Sequence, residues 1–457
     1  MIKKLLKILW RITGSVIIMI GAGILMSRIV NKAPSADLKN ADQMYAIIDQ
    51  GGCLICHGGS EDFCTHINWP VFGQAIRRDA EKAIRYADAS PELDKLFMDL
   101  PIDKTHLMKL QHVVSRRSMP PLSFTIIHWK APMTRDKQEI FLAWIYNQLS
   151  THFSHPVPVG KKTFQPIVPI PDTFSTDQAK VMLGNALYHD TRLSSDNTVS
   201  CATCHNPERG GVDNLDYSVG VFNQPGTTTT LSSFNAVLDP FFFWDGKASS
   251  LKEQLSIALL DPVKMGNESF DEIAAKLQAD PSFTSRFLES YPDGFSLETV
   301  TDALQEYHKT LITPDSPFDW YLKGQTDAIG HLEQRGYELF KRYGCATCHN
   351  SAGMGGNSFQ LMGVAHSFFP DREKVMLEDL GRYKITSRAE DMHKFKVPGL
   401  RNVALTYPYF HNASAKTLEQ AVTDMAYYQR NKELSKRKIH KIVLFLKTLS
   451  TEETTSE

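Results

Sequence analysis

Cysteine is scarce in this chain, 7 residues in 457, and neither sign of charge is in excess, with 50 Lys and Arg against 51 Asp and Glu. The second absence removes the basic footprint that a nucleic-acid binder carries, and gives no reason to expect a strongly acidic substrate. Alternating apolar and polar residues are also rare, which excludes an all-β sandwich or barrel. Long apolar runs are limited to one, near the N-terminus. What remains is an ordinary globular composition, 42% hydrophobic and 22% charged. The length exceeds what one core supports and suggests two to four domains.

The few cysteines are not scattered. Six of the seven fall in three copies of one pattern: Cys53-Leu54-Ile55-Cys56-His57, Cys201-Ala202-Thr203-Cys204-His205 and Cys345-Ala346-Thr347-Cys348-His349. With 7 Cys and 16 His in 457 positions, chance predicts about 0.004 such matches. A structural zinc would need two pairs close enough to share one ion, and a redox dithiol does not account for the trailing His. Covalent haem c accounts for all of it. Two thiols form thioethers with the porphyrin vinyls and the adjacent imidazole ligates the iron, which predicts three covalent haems. Such haems are attached outside the bacterial cytoplasm, so an exported protein is expected. The leftover Cys64 is read as a free thiol without a role.

The N-terminus suits export. Lys3, Lys4, Lys7 and Arg11 border an apolar stretch, and Leu5 to Met26 is 22 residues long, roughly 33 Å as a helix. No small-x-small cleavage site follows Met26. The expectation is an uncleaved single-pass anchor in the inner membrane, spanning residues 1–30, with the catalytic part in the periplasm. Residues 31–154 then form a unit around the first CxxCH. Residues 155–172 carry five prolines and read as an extended linker. Residues 173–325 and 326–450 surround the second and third copies, and 451–457 are a polar tail. Helices are expected at Asp136 to Leu149, Asp177 to Tyr188, Ser249 to Leu259, Asp271 to Ala279, Ser296 to Leu311, Glu333 to Arg342 and Ser435 to Leu449. The predicted fold is mainly α, three cytochrome-c-like haem domains following an N-terminal transmembrane helix.

From Ala186 onward the chain closely resembles the bacterial di-haem cytochrome c peroxidase family. The matching segments are "LYHDTRLSSDNTVSCATCHNPERGGVD", "FNAVLDPFFFWDGKASSLKEQ", "DPVKMGN", "CATCHNSAGMGGNSF" and "FKVPGLRNVALTYPYFHNASAKTLEQAV". The resemblance implies reduction of hydrogen peroxide to water, with one haem for the chemistry and one for electron supply. It makes His205 the proximal ligand of the peroxidatic haem and His349 that of the electron-transfer haem, with Met425 on its far side. A thioether there stabilises ferrous iron. The family's protein-modifying branch uses Tyr at the Met425 position. Trp244 matches the tryptophan between the haems and Gln254 the distal glutamine. The resemblance also implies a calcium ion, with Thr406 and Pro408 as carbonyl donors and Thr229 in place of the usual Asn. A homodimer lies within the family's range.

Two departures stand out. Members that need reductive activation carry a blocking His in a Ser-x-Gly-His context, where this chain reads Ser218-Val219-Gly220-Val221. Valine cannot ligate iron, so that position is expected to be open, with His189 as a replacement candidate. The family's distal carboxylate matches Lys264, and a cationic Lys cannot accept the proton that O–O heterolysis moves. A desolvated, neutral Lys264, Glu268 or Asp261 are the alternatives.

The first CxxCH has no counterpart in a di-haem enzyme. An anchored tri-haem arrangement resembles the quinol-peroxidase branch of the family. Met119 in "RRSMPPL" is its expected far-side ligand, with His66, His106, His112 and His128 as rivals. The reading is a tri-haem, membrane-anchored peroxidase taking electrons from quinol or a small cytochrome c. The alternative is a non-catalytic multihaem electron-transfer or peroxide-sensing protein.

Overall fold

The computed structural model describes residues 10, 13–15, 18, 21–23, 25–58, 73–98, 100–125, 128–156, 164–369 and 375–451. It divides into two compact units, Met1–Phe164 and Gln165–Glu457.

The first unit contains α1 (Asn40–Gln50), α2 (Cys53–His57), α3 (Gly73–Tyr86), α4 (Ser90–Phe97), α5 (Lys104–Ser115), α6 (Leu122–Thr125) and α7 (Arg135–Phe153). Asp103 and Thr134 open α5 and α7 by accepting the backbone N–H of His106 and Lys137, respectively. The apolar face expected between residues 136 and 149 is buried: Phe141, Trp144, Ile145 and Leu149 pack on Leu107 and Met108 of α5 and on Met44 and Ile47 of α1.

The second unit continues with α8 (Gln178–Tyr188), α9 (Cys201–Cys204), α10 (Leu251–Leu259), α11 (Phe270–Gln278), α12 (Pro281–Ser290), α13 (Leu297–His308), α14 (Pro317–Leu322), α15 (His331–Arg342), α16 (Tyr383–Thr386), α17 (Leu418–Arg430) and α18 (Lys436–Lys447). Two short strands, β1 (Phe359–Leu361) and β2 (Lys394–Lys396), pair antiparallel with Gln360 opposite Phe395. Each half of the unit is built on one close helix crossing. On α8, a Cβ at Gly184 would lie 2.0 Å from the carbonyl oxygen of Ala303 and 2.8 Å from the Cβ of Tyr307 on α13. On α15, a Cβ at Gly336 would lie 1.9 Å from the carbonyl oxygen of Lys441 and 2.8 Å from the Cβ of Phe445 on α18. The repeat visible as two CATCH strings is thus also a repeat of packing, and in both copies only hydrogen fits at the crossing.

Two sequence-based expectations are corrected. Among the described residues no helix is long and apolar enough to cross a membrane. The described residues between 10 and 30 are helical, and much of Leu5 to Met26 lies outside the described residues. A span needs about 20 predominantly apolar residues. Here Lys7 and Arg11 interrupt the stretch, and Thr13, Gly14, Ser15, Gly21 and Gly23 dilute it. The transmembrane helix, and the inner-membrane location that rested on it, are therefore not upheld. Nor are there three separate haem domains, because the second and third CxxCH motifs share one unit. Side chains stitch its halves together. Lys396 Nζ reaches Asp239 Oδ2 at 2.6 Å, and the Asn214 amide donates to the carbonyls of Leu405 and Tyr407 at 2.8 and 2.9 Å. Arg401 and Asp319 form a fully buried pair, Nη2 to Oδ1 at 2.9 Å. Part of the expected linker joins them: Ile167 and Ile170 are 1% exposed, and Ile170 N–H donates to Asp319.

The Gly336→Ala variant should lose roughly 1–3 kcal/mol or more, because the added methyl must push α15 off α18. Gly184→Ala should behave alike at the α8–α13 crossing. Urea unfolding of the haem-loaded protein measures both, and midpoints equal to that of the parent would contradict the packing.

Candidate active site

Each CxxCH forms one helical turn. Cys53 to His57 and Cys201 to Cys204 are α-helical and Cys345 to Thr347 is a 3₁₀ turn. His205 N–H donates to the Cys201 carbonyl at 2.9 Å and His349 N–H to that of Cys345 at 3.0 Å. A turn of this kind puts positions i, i+3 and i+4 on one face, so two sulfurs and an imidazole point the same way. His57 Nδ1 bonds the Ala87 carbonyl at 2.7 Å, and His349 Nδ1 bonds that of Met354 at 3.1 Å. A backbone carbonyl fixes the tautomer with the proton on Nδ1 and leaves the Nε2 lone pair for a metal. His205 Nδ1 is buried without a hydrogen bond of ordinary geometry, beside the backbone of Gly211 and Leu231. Its carbonyl is held by the Tyr188 hydroxyl at 2.5 Å, which also reaches Ser233 at 3.0 Å.

Burial keeps all three imidazoles neutral: it lowers His57 and His205 and takes His349 down to about 4. The thiols go the other way. Burial pushes Cys53, Cys204 and Cys345 up to about 11 and Cys201 to about 12. Thiols this protonated are poor redox nucleophiles. Among the described residues no three or more His, Cys, Asp or Glu come together as metal ligands, which leaves the zinc reading without support. Two thiols and one neutral, oriented imidazole form the donor set that fits haem c.

A cavity of about 360 Å³ opens over the second motif. Cys201, Cys204 and His205 line one wall, and Trp244, Gln254 and Lys264 line others. Trp244 is fixed by Nε1 donating to the Thr229 carbonyl at 3.0 Å, while its own carbonyl accepts Lys396 N–H at 2.8 Å. Gln254 stands on α10, which Ser250 caps by accepting Glu253 N–H. Lys264 Nζ lies 3.5 Å from Asp261 Oδ2 and 4.6 Å from the centre of the Phe243 ring. Burial lowers Lys264 and Asp261 opposes that shift. At Asp261, burial disfavours the charge, but Lys264, the backbone amides of Val263 and Lys264, and Lys247 together hold its carboxyl below the usual range.

The structure separates the other candidates. Val221 is fully buried, its N–H bonded to the Lys264 carbonyl at 3.2 Å. His189 is exposed, bonds the Asn185 carbonyl through Nδ1 and does not line the cavity. Glu268 is also exposed and outside it. Met425 packs with Trp244 against Met362, Phe368, Phe369 and Phe395. In the first unit, Met119 is 37% exposed. Phe124, five residues on, sits so close to the first motif that a Cβ on Gly52 would meet its ring at 2.9 Å. His128 stacks on that ring at 3.8 Å, and His106 spends both ring nitrogens on Asp103 and the Asp88 carbonyl. His66 and Cys64 lie outside the described residues.

The calcium candidates offer neutral oxygen only. Thr406 and Pro408 would contribute backbone carbonyls, and Thr229 Oγ1 donates to the Phe410 carbonyl at 2.9 Å. Calcium takes 6 to 8 oxygens, commonly with carboxylates among them.

Two cavity residues went unnoticed in the sequence. His308 ends α13, bonds the Leu304 carbonyl through Nδ1 at 2.7 Å and is held down to about 4 by burial. No local pattern distinguishes it from a core histidine. Lys247 lies 4.3 Å from the centre of the same Phe243 ring as Lys264, and its place after the Trp-Asp-Gly turn was the available signal.

A family model described as "Di-haem cytochrome c peroxidase" matches residues 178–327, and one described as "Haem-binding domain" matches residues 20–147. Cytochrome c peroxidase Ccp of Escherichia coli is 39% identical over 90% of this chain and 88% of its own. Cytochrome c551 peroxidase of Nitrosomonas europaea is 41% identical over 63% of this chain and 84% of its own. The crystal structure of a MauG-like protein associated with microbial copper homeostasis superposes with a TM-score of 0.56 at 25% identity, over 66% of this chain and 98% of that one.

Tyr188→Phe should cost roughly 1–3 kcal/mol, because it strips a buried carbonyl and the Ser233 hydroxyl of their partner. The unfolding midpoint of the holoprotein reads it, and an unchanged midpoint would show that the hydroxyl carries no net bond.

Proposed function

The chain belongs to the di-haem cytochrome c peroxidase family, and from that premise we propose a tri-haem enzyme with electrons entering at the additional haem-binding unit. It is a peroxidase that reduces hydrogen peroxide to water. The observation that carries the reading is the cavity over Cys201, Cys204 and His205, walled by Trp244, Gln254 and Lys264. His57, His205 and His349 are assigned as proximal ligands, with Met425 and Met119 on the far sides at His349 and His57. When bound, the haems accept electrons one at a time and supply the iron on which the peroxide O–O bond is cleaved.

The chain's own residues do the rest. Gln254 projects an amide into the cavity, where it can hold and orient peroxide. Trp244, tied at both its ring and its backbone, keeps a fixed place between the two haem-binding halves. Val221, with no lone pair to offer, could not ligate the iron of a haem held by His205, which would stay open to substrate. The donor is a quinol or a small cytochrome c, received by the unit around His57.

Peroxide consumption by the fully haem-loaded protein, with a reduced quinol analogue and with reduced cytochrome c, tests the function. Turnover with at least one donor is expected, and none with either overturns the reading. Cys53→Ala with Cys56→Ala should lower the haem count from three to two and abolish turnover with the quinol analogue or cytochrome c, while an artificial reductant that reaches the second unit directly still supports it. In the resting ferric protein, spectroscopy should find one high-spin haem and two low-spin ones. Three low-spin haems would close the site assigned to Val221.

A further inference from the structure

The proton transfer has no evident agent at the position where the resemblance places a carboxylate. Peroxide binds through one oxygen, and for the O–O bond to break heterolytically a proton must move from that oxygen to the other. Lys264 stands there as a cation facing Asp261. We propose that Asp261 is the residue that carries this proton, with Lys264 as its charge partner, an inference that rests on the peroxidase reading of the cavity.

Placement singles Asp261 out. Gln254, Ala258 and Asp261 all line the cavity, spaced by four and then three residues. That is one face of α10, continued into the turn after Leu259. The carboxylate therefore emerges on the same stripe as the glutamine that orients peroxide. The other carboxylates of the cavity are committed elsewhere. Asp239 is bound tightly to Lys396 at 2.6 Å, and Asp245 and Glu378, which share Lys384 at 3.7 and 3.8 Å, stand on other segments than the α10 stripe that carries Gln254. Glu268 is outside the cavity, its backbone N–H turned to Glu272 at 3.3 Å.

The two oxygens of Asp261 are divided in use. Oδ1 accepts the backbone N–H groups of Val263 and Lys264 at 3.0 and 3.1 Å, which holds the carboxylate in place. Oδ2 faces only the loose contact with Lys264 Nζ at 3.5 Å, which leaves it able to take a proton. Lys264 and Lys247 flank the Phe243 ring on this side, so the local field favours the ionised, proton-accepting form of Asp261 between turnovers.

The step balances as follows. With haem held by His205, Asp261 would take the proton from the near peroxide oxygen and pass it to the far one. The O–O electron pair stays with the far oxygen, which leaves as water. Two electrons from the donor and two further protons convert the remaining oxygen to a second water. The donor is oxidised, peroxide is reduced, and Asp261 ends as a carboxylate again.

The test uses holoprotein carrying Asp261→Asn, which keeps Oδ1, alongside Lys264→Gln and Glu268→Gln. Two rates are read: kcat/KM for peroxide, and cyanide binding to the resting ferric protein. Hydrogen cyanide must give up a proton to bind as the anion, so the second rate reports the base without turnover. Asp261→Asn should lower both by roughly 10²- to 10⁴-fold, while imidazole, which binds without losing a proton, binds as in the parent. Glu268→Gln should change neither. Adding Lys264→Glu to Asp261→Asn should restore part of the cyanide rate by returning a carboxylate to the cavity. Cyanide and peroxide rates within twofold of the parent in Asp261→Asn overturn the proposal. So does a loss of the same size in Lys264→Gln, where Asp261 is intact. A parent that binds cyanide but turns over with no donor would instead overturn the peroxidase reading.

Discussion

The second unit depends on one buried charge pair. Arg401 and Asp319 have side chains 1% and 0% exposed, and such a pair persists only if every remaining donor and acceptor is also used. Here they are. Asp319 accepts Ile170 N–H and the Ser316 hydroxyl, and Arg401 gives Nε to the Ala352 carbonyl and Nη2 to that of Val168. Four separated stretches meet at this point: the end of the proline-rich segment, the start of α14, the loop after the third CxxCH, and the strip leading to Thr406. Apart from α14 these stretches are irregular, and the strands β1 and β2 are only three residues each. The clamp gives irregular backbone a fixed place, and the loops that cradle the third motif inherit it.

The cavity is assembled in the same manner. Trp244 comes from a turn, Gln254 and Asp261 from α10 and its exit, and His205 from α9. Lys396, at the end of β2, joins the wall of one half to Asp239 of the other. Glycine at 184 and 336 lets the paired helices approach until backbone meets backbone. A chemically simple ligand set therefore stands in a shaped space, where burial is the main cause that holds the His205 and His349 imidazoles below their usual range.

Much of this was legible in the sequence because the signals are local. The helix around Phe141 to Leu149 shows its period, and Asp177 and Ser296 announce helix starts by capping chemistry. The CxxCH spacing is itself the geometry of one helical turn. The apolar stretch at the N-terminus misled because hydropathy counts residues without asking how lysine, arginine and glycine interrupt a span. The division into three haem domains misled because sequence spacing does not reveal that Asp239 and Lys396, or Asp319 and Arg401, are partners.

The sequence by itself determined the three CxxCH motifs, the helical class, and the valine and lysine at two positions where the resemblance places a ligand and a base. Only the tertiary structure decided what surrounds them. It turned the α10 face of Gln254 and Asp261 to the cavity, left Glu268 and His189 outside it, and merged two motifs into one unit. The physical reason is range: helix turns and caps are set by neighbours within four or so residues, whereas a cavity wall is set by contacts between segments that the chain separates by a hundred or more.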